Sequence, residues 1–456
     1  MINYNLEDTI AALSTAPGKS AIAVIRLSGG HSPHAIERIF QTNANPKTQI
    51  QHGYIVDGKN KIDEVLCAFF KKPNTYTGEN LIEISCHGNP VIINEILNLL
   101  YKNGARQALP GEFTYRAFIN GKMDLAEAES VCDLITSKTE TAAKAALNNV
   151  SGEFSSKIKG IKDALMNLLA YMEVSLDHPE EDVMFLSRTE KSLRLSDIIA
   201  QTETLLNNYK ISETLQKGFK AAIIGKPNAG KSSLLNAILG KNRAIVTEIA
   251  GTTTDTIEEF IDCRGVPLMI IDTAGLRAHT ENTIEKLGQE KTKEAVAKAN
   301  IILWVLDGSQ PFDDNDKQIA DLLKNSGLDT PILYVLNKSD LPASGISKGF
   351  AFPKENTLNL SSKTSKGIAV LLDAIAKTAG LNGSETLLMI NSRHYTHLKN
   401  AEASLKKAQG AYEKEDADEI AAFEVRSTLA ELDEILGITT PQDILDTIFS
   451  NFCIGK

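Results

Sequence analysis

One nine-residue stretch, residues 225–233, constrains the fold of this chain more than any other. It reads Gly-Lys-Pro-Asn-Ala-Gly-Lys-Ser-Ser and fits the phosphate-binding loop pattern G-x-x-x-x-G-K-[ST]. A short apolar run precedes it and a helical pattern follows, so backbone amides and a helix N-terminus would converge on phosphate oxygens. We therefore predict that Lys231 neutralises the β- and γ-phosphates of a nucleotide and that Ser232 binds Mg²⁺. The flanking pattern disfavours the alternative, a glycine turn that opens an ordinary helix.

The charge and the cysteine content narrow the class of protein. The chain has 456 residues, enough for two or three domains, and a formal net charge of −10. This balance excludes a generally basic nucleic-acid-binding protein, so any RNA contact requires a local basic patch or a basic partner. The five cysteines are odd in number and lack C-x-x-C spacing, which indicates a reducing compartment. Since no signal-peptide pattern or membrane-length apolar run is present, we expect a cytoplasmic protein without membrane contact.

The first 120 residues predict a compact α+β domain. Residues 9–29 read as a hairpin, residues 64–70 and 81–88 as strands, and residues 90–100 as a helix. Two charged residues interrupt the apolar strands. Arg26 is either a strand-edge residue or a ligand clamp, and Glu83 is equally open between an edge position and a function.

Helical patterns surround a central block of alternating strands and helices. Apolar residues at three- and four-residue steps from Leu147 to Met172 predict one long amphipathic helix. An acidic break at residues 177–182 reads as a solvated loop rather than a cation site. At Thr440-Pro441 we predict a helix cap with proline at the first helical position. The simplest organisation is an α/β domain, residues 218–379, inserted into a helical domain formed by residues 121–217 and 380–456.

Four further elements predict a guanine nucleotide as the ligand of the phosphate loop. An apolar strand ends in Asp272-Thr-Ala-Gly275, where the carboxylate reaches the Mg²⁺ shell and Gly275 senses the γ-phosphate, and residues 251–255 offer a threonine to the same ion. Residues 337–340 read Asn-Lys-Ser-Asp. We expect the Asp340 carboxylate to accept from guanine N1–H and the 2-amino group. Adenine offers neither donor there, and a carboxylate left buried and unpaired rejects the wrong base strongly. Residues 361–363 offer a backbone amide to guanine O6.

Hydrolysis needs a residue that orients water, and the sequence does not supply the usual one. Leu276 stands after Asp-Thr-Ala-Gly, where many GTPases have a glutamine. The candidates are Glu281, Glu285 and Glu290, and the residues alone do not choose among them.

The last four residues of the sequence, Cys453-Ile-Gly-Lys456, are a poor match to a prenylation motif. The Cys453 thiol as a nucleophile or redox group is a hypothesis.

These residues together carry a family resemblance. The motifs at residues 225–233, 251–255 and 272–276, the run 23–29, the segment 110–118 and the terminal Cys-Ile-Gly-Lys resemble the bacterial tRNA-modification GTPase family MnmE, also called TrmE. The resemblance covers essentially the whole chain. It implies a folate-binding-like N-terminal domain that dimerises, a helical domain and an inserted Ras-like GTPase domain with a parallel sheet and flanking helices.

The resemblance also implies the activity and the partners. Members of the family hydrolyse GTP with K⁺ and form a homodimer and a heterotetramer with the flavoprotein MnmG, which carries FAD. Together they add an aminomethyl or carboxymethylaminomethyl group to C5 of the wobble uridine, position 34, of certain tRNAs. The one-carbon unit comes from 5-formyl- or methylene-tetrahydrofolate.

The resemblance assigns the site residues by matching motifs. Glu285 is the water-orienting glutamate, and Cys453 has been considered catalytic. Ser232 and Thr253 would be the ligands of Mg²⁺. K⁺ would be bound by Asn228, Thr247, the Ile249 backbone and Thr252, and it would supply the positive charge that an arginine finger otherwise provides. The folate would be bound by Arg26, Glu83, Lys122 and Lys456. The nucleotide set comprises Asn228, Ala229, Gly230, Lys231, Ser232, Ser233, Thr247, Glu248, Ile249, Ala250, Gly251, Thr252, Thr253, Asp272, Thr273, Ala274, Gly275, Asn337, Lys338, Ser339, Asp340, Ser361, Ser362 and Lys363.

Two alternatives stay open on sequence grounds. A ribosome-assembly GTPase would share the guanine-nucleotide set but would carry a basic RNA-binding appendage and would bind no folate. A folate-dependent one-carbon enzyme regulated by GTP would transfer the one-carbon unit to tRNA without a flavoprotein. The acidic charge predicts that much of the tRNA contact comes from the partner.

Overall fold

The computed structural model describes residues 4–43, 45, 48–177, 186–240, 244–246, 259–271, 293–325, 327, 329–343, 346, 350–381, 387–412 and 417–456. Two compact units contain them. The first unit comprises Met1–Cys132, Asn149–Thr202 and Thr396–Lys456, and the second comprises Asp133–Asn148 and Glu203–Tyr395. The searched helices include none that is long and apolar enough to cross a bilayer.

A seven-stranded sheet organises the N-terminal part of the first unit. Its strands are β1 (Thr9–Leu13), β2 (Ser20–Ser28), β3 (Phe40–Gln41), β4 (Ile50–Asp57), β5 (Asn60–Phe70), β6 (Leu81–Gly88) and β7 (Ala105–Gln107). They pair in the order β3-β4-β5-β6-β2-β1-β7, and only the β1–β7 pair is parallel within this sheet. The predicted hairpin is confirmed, with Ile10 opposite Ser28.

The alternation of side chains gives the two faces of this sheet different packing partners. Ile25 and Leu27 on β2 are fully buried and pack with residues of the helix Pro90–Lys102, including Ile96 and Leu100. Because side chains alternate along a strand, Arg26 lies on the opposite face from Ile25 and Leu27. The N-terminal α+β prediction is therefore confirmed, and Arg26 lies beside a second, smaller apolar cluster that includes Ala12 and Phe113.

The described residues include the following fourteen α-helices. They are α1 (Ser32–Glu37), α2 (Pro90–Lys102), α3 (Glu112–Ile119), α4 (Leu125–Thr136), α5 (Glu140–Val150), α6 (Glu153–Asp177), α7 (Arg188–Asn207), α8 (Tyr209–Lys217), α9 (Lys231–Leu239), α10 (Asp314–Asn325), α11 (Ile368–Thr378), α12 (Ser392–Ala411), α13 (Ala417–Leu436) and α14 (Gln442–Ser450). A short 3₁₀ helix covers Lys354–Asn356. In the first unit α6 packs along α13.

Two helix predictions are wrong in detail. The run from Leu147 to Met172 is split between α5 and α6, because Gly152 adopts φ +85° and a right-handed helix cannot continue through that conformation. The C-terminal helix α14 begins at Gln442, so Pro441 is its N-cap residue rather than its first helical residue. The Thr440 hydroxyl donates to the Glu434 carbonyl instead of capping α14.

The second unit contains the other sheet. Its strands are β8 (Phe219–Ile224), β9 (Ala244–Val246), β10 (Glu259–Cys263), β11 (Val266–Ile271), β12 (Ile301–Asp307), β13 (Ile332–Asn337) and β14 (Thr357–Asn359), in the order β14-β13-β12-β8-β11-β10-β9. The five strands from β14 to β11 pair in parallel, as predicted.

The edge of this sheet departs from the predicted parallel arrangement. Strand β10 is antiparallel to β11 and to β9, so the sheet is mixed. The cause is the connection between β10 and β11, which is only Arg264 and Gly265 with φ of +56° and +91°. A two-residue turn with positive φ at both positions joins antiparallel strands, whereas parallel strands need a long crossover.

Helical segments from outside the predicted inserted domain share the second unit with this sheet. Ala142, Ala145 and Ala146 of α5 form a buried cluster with Leu215 of α8 and Met389. The division into two units therefore cuts the chain within the predicted helical domain. The boundaries near residues 120, 217 and 379 stay a prediction.

Candidate functional site

Close backbone packing shapes the phosphate loop. The loop leaves β8 at Gly225 and enters α9 after Gly230, which has φ +96°. A Cβ atom on Gly225 would lie 2.3 Å from the Val305 carbonyl oxygen, and one on Gly230 would lie 2.2 Å from Asn337 Nδ2. These approaches exclude any side chain at the two motif glycines. Asn228 completes the turn with φ +64°.

Lys231 is held over the loop that precedes it. Its Nζ donates to the carbonyls of Gly225 at 2.8 Å and Lys226 at 2.9 Å. Burial lowers the pKa of Lys231. Ser232 and Asn228 are exposed, so a metal ion or a phosphate has access to both. The predicted phosphate-site residues are therefore brought together around one loop.

Asn337 ties the phosphate loop to the segments expected to recognise the base. Its Nδ2 donates to the Ala229 carbonyl at 3.0 Å across 108 residues of sequence, and its Oδ1 accepts from the Ser362 amide at 3.0 Å. The next residue, Lys338, pairs with Asp307 at 2.6 Å. The Lys338 and Ser309 hydrogen bonds outweigh burial and lower the pKa of Asp307.

Asp340, the residue expected to recognise guanine, lies at the surface. The carboxylate is exposed, and its Oδ1 accepts from the Ser361 hydroxyl at 2.6 Å, which lowers the pKa of Asp340. It is held in place by a hydrogen bond rather than by burial. The amides of Ser361 and Ser362 donate to Lys366 and Asn337 respectively. This narrows the predicted O6 contact to the amide of Lys363.

Several predicted residues lie outside the described residues. They are Thr247, Glu248, Ile249, Ala250, Gly251, Thr252, Thr253, Asp272, Thr273, Ala274, Gly275, Leu276, Glu281, Glu285 and Glu290, and the acidic stretch 178–182. Their roles in binding Mg²⁺, K⁺ and water stay predictions.

A second candidate site lies on the face of the N-terminal sheet opposite Ile25 and Leu27. Arg26 on β2 stands directly opposite Glu83 on β6, and its Nη2 donates to Glu83 Oε1 at 2.8 Å. The guanidinium also lies 5.2 Å from the ring centre of Tyr76 and 5.7 Å from that of Phe113. Because β2 lies between β6 and β1, the strand-edge interpretation of Arg26 is wrong.

Arg26 has bonding capacity that the described residues do not use. Its Nη1 is buried and lacks a hydrogen-bond partner among them. A buried guanidinium donor left unpaired costs free energy, and a ligand carbonyl or carboxylate would remove that cost. A neighbouring pocket of about 330 Å³ is lined by Phe70, Asn74, Thr75, Tyr76, Leu81 and Glu83.

The other predicted folate residues reach the same region from distant parts of the chain. Lys122 Nζ donates to the Pro73 carbonyl at 3.1 Å, at the start of the segment that lines the pocket. Burial and then the charge of Arg26 lower the pKa of Lys456, while Glu83 opposes them. These shifts place Lys456 within electrostatic range of the Arg26–Glu83 pair.

The terminal motif is fixed to the N-terminal part of the first unit by backbone contacts. The Gly111 amide donates to the Cys453 carbonyl at 3.4 Å, and the Ser14 hydroxyl donates to the Gly455 carbonyl at 3.2 Å. A Cβ on Gly455 would lie 2.2 Å from the Leu13 carbonyl oxygen, so only glycine fits there. Cys453 itself is exposed. Nothing in its described surroundings assigns it a base, and its catalytic role stays a prediction.

Residue-by-residue reasoning missed the charges that support this pocket. Glu112 and Arg116 are both fully buried, 2.9 Å apart, at the first and second turns of α3. Arg106 pairs with Glu112 at 2.6 Å and Arg116 pairs with Glu79 at 3.0 Å, so one network joins β7, α3 and the segment before β6. The i,i+4 spacing of opposite charges was the available signal.

Comparison with known proteins identifies the family. A family model described as GTP-binding protein TrmE N-terminus matches residues 9–122, and one described as MnmE helical domain matches residues 125–453. A protein of Endomicrobium trichonymphae named tRNA modification GTPase MnmE is 64% identical over 456 residues, which is 100% of both chains. The chain belongs to the MnmE family.

More distant MnmE relatives match along the same length. Proteins of Clostridioides difficile (strain 630) and Aquifex aeolicus (strain VF5), both named tRNA modification GTPase MnmE, are each 40% identical. Each match covers 99% of this chain and 100% of the relative. The MnmE helical model begins at Leu125, the first residue of α4. The resemblance stated from the motifs is thus confirmed.

Proposed function

We propose that this chain hydrolyses GTP in the modification of tRNA. One observation carries the nucleotide part: the hydrogen bond from Asn337 to the Ala229 carbonyl joins a phosphate loop to an Asn-Lys-Ser-Asp segment. This link would allow both segments to contact the same nucleotide, one at the phosphates and the other at the base. The tRNA part rests on membership of a family whose curated relatives are named tRNA modification GTPase MnmE.

We further propose that K⁺ and Mg²⁺ support hydrolysis. Ser232 is exposed at the first turn of α9, where its hydroxyl is available to Mg²⁺. Asn228 is exposed within the phosphate loop. Its side chain offers a carbonyl oxygen, the type of ligand that coordinates K⁺ in proteins. Bound K⁺ would supply positive charge near the phosphates. Lys231, released from the Gly225 and Lys226 carbonyls, would pair with the β- and γ-phosphate oxygens.

We also propose that the N-terminal pocket binds a folate. The unpaired Arg26 Nη1 would donate to a carbonyl or carboxylate of the ligand, Lys456 would add positive charge, and Tyr76 and Phe113 would hold the guanidinium in place. When bound, 5-formyl- or methylene-tetrahydrofolate supplies the one-carbon unit. In this proposal a flavoprotein partner, MnmG with FAD, completes the modification at C5 of the wobble uridine, and the chain acts as a homodimer.

GTP turnover in K⁺ and in Na⁺ at matched ionic strength tests the nucleotide part. We expect K⁺ to stimulate turnover about tenfold or more, and Asn228→Ala to abolish the difference between the two salts. Asn236→Ala, an exposed asparagine on α9, is the matched control and keeps the stimulation. Equal turnover in both salts would leave a GTPase but would remove the role of K⁺.

One-carbon transfer to tRNA tests the division of work. We expect transfer only when the purified chain, the folate and the flavoprotein are present together. Transfer by the chain alone would contradict the proposed partner. Because the chain carries a net charge of −10, we also expect the isolated chain to bind tRNA weakly. Tight binding that falls steeply with salt would show that this chain provides the phosphate contacts.

A further inference from the structure

Lys226, the second residue of the phosphate loop, is buried between two carboxylates. Its Nζ lies 2.7 Å from Asp313 Oδ2 and 2.8 Å from Asp316 Oδ2. The side chain of Lys226 is 9% exposed and that of Asp316 is fully buried. The loop pattern demands no particular residue at this position, so the motif itself does not explain a buried lysine there.

Backbone hydrogen bonds also hold the two carboxylates in place, independently of Lys226. Asp313 is the N-cap of α10, and its Oδ1 accepts from the amides of Asn315 at 3.0 Å and Asp316 at 3.1 Å. Asp316 Oδ2 accepts in return from the Asp313 amide at 3.3 Å. This reciprocal arrangement is a capping box made with aspartate, and the positive end of the helix stabilises both charges.

The backbone of Lys226 carries the contacts that matter to a nucleotide. Its carbonyl accepts from Lys231 Nζ at 2.9 Å and from the Ala229 amide at 3.3 Å. The turn between them contains Asn228 with φ +64°. Fixing the side chain of Lys226 therefore fixes the peptide on which Lys231 rests and the start of the left-handed turn.

We propose that Lys226, Asp313 and Asp316 form a clamp that positions the phosphate loop for the phosphate groups of GTP and GDP. The clamp rests on the proposed function, because it acts through Lys231 and the loop amides and touches no nucleotide itself. Lys226 is thus a positioning residue. Burial alone would lower the pKa of Lys226, but the hydrogen bonds that it donates to Asp313 and Asp316 raise it, so the lysine stays charged at neutral pH.

Binding of GDP and of guanosine to the full chain tests the clamp, with a fluorescent GDP analogue as the competed probe. Guanosine has the base but no phosphate, so a phosphate-positioning defect weakens GDP alone. We expect Lys226→Met to weaken GDP by about tenfold or more, equivalent to about 1.4 kcal/mol, with guanosine changed less than about twofold. Lys226→Arg should restore most of the GDP affinity.

A matched control and a milder variant keep the test decisive. Asp314→Asn alters an exposed neighbour that pairs with Lys317, and we expect the GDP affinity of the parent chain. Asp316→Asn removes one buried charge and leaves the Lys226–Asp313 pair, so it gives an intermediate loss of GDP affinity even if Lys226→Met does not fold.

Two results would overturn the clamp. Equal weakening of GDP and guanosine would mean a general loss of structure, and unchanged GDP affinity with only a lower melting temperature would mean a merely stabilising ion pair. A parent chain that binds no GDP would instead refute the proposed function. The failures of the two proposals are therefore distinguishable.

Discussion

The phosphate-loop site and the N-terminal pocket are built on different plans. The first uses backbone geometry within a short stretch of sequence, and its two glycines and Asn228 place amides and carbonyls directly. The second uses side chains from four distant segments, and its principal donor, Arg26, is only partly paired. This difference explains why a sequence motif predicts the first site, whereas the second site can be recognised only from the folded chain or from a family resemblance.

The two sites also differ in how the hydrogen-bond donors of their main cation are paired. In the phosphate loop, Lys231 donates to two carbonyls of the protein, which the phosphates of a nucleotide would replace. In the pocket, Arg26 Nη1 is buried without a partner among the described residues. In the proposed function, ligand binding would exchange the hydrogen-bond partners of Lys231 and would add a missing partner to Arg26.

The buried network below the pocket should give the largest effect. Glu112→Gln leaves Arg106 and Arg116 without their buried carboxylate, and we expect a loss of about 3–5 kcal/mol in the free energy of unfolding. Urea denaturation followed by circular dichroism measures it. The single tryptophan, Trp304, lies in the second unit, whereas Glu112 lies in the first. The fluorescence of Trp304 should therefore change at a higher urea concentration than the circular dichroism signal. Glu95→Gln, exposed on α2, should leave stability unchanged, and an equal loss there would discredit the network.

Removal of Lys231 should break the nucleotide site while sparing the pocket. We expect Lys231→Ala to lower GTP turnover by about 10²–10³-fold, the range for a group that stabilises transition-state charge. Lys324→Ala, exposed at the end of α10, is the control. Turnover and folate affinity are measured on the same preparations. A turnover within about threefold of the parent would contradict the role of Lys231.

Removal of the Arg26 guanidinium should weaken folate binding while sparing GTP turnover. Arg26→Met keeps an apolar stem but deletes the donor, and we expect 5-formyl-tetrahydrofolate to bind about 10- to 100-fold more weakly, as for a charge-assisted hydrogen bond. GTP turnover should not change. Arg38→Met alters an exposed arginine of the same domain and should bind the folate normally. Unchanged affinity in Arg26→Met would place the ligand elsewhere.

The pH dependence of folate binding should give the smallest effect. Burial and the charge of Arg26 lower the pKa of Lys456 below its usual 10.5, and an anionic ligand favours the charged form. Affinity is therefore complete below the pKa of the free protein and falls as pH rises through it. We expect a few-fold loss between neutral pH and pH 10, measured by titration calorimetry, since one exposed-to-half-buried charge contributes about 1 kcal/mol. Lys456→Arg stays charged and should flatten the curve.

The sequence predicted most clearly what depends on neighbouring residues. The strand–loop–helix unit of residues 219–239 is confirmed because each part is local. Gly152 broke the predicted long helix, although a glycine was visible in the pattern, because helical periodicity continues on both sides of it. The clamp on Lys226 was not predictable, since Asp313 and Asp316 lie almost ninety positions away. The bond between Asp340 and Ser361 was missed for the same reason.

The aromatic contact between Tyr115 and Phe449 has a consequence for synthesis. Their ring centres lie 5.2 Å apart, and Tyr4, Leu445 and Phe452 complete the same buried cluster. A ribosome adding about 5–20 residues per second would make Phe449 about 20–70 s after Tyr115. Throughout that interval the nascent chain presents an unfinished apolar surface. The first domain to emerge is thus among the last to close, and chaperones have a defined window in which to bind it.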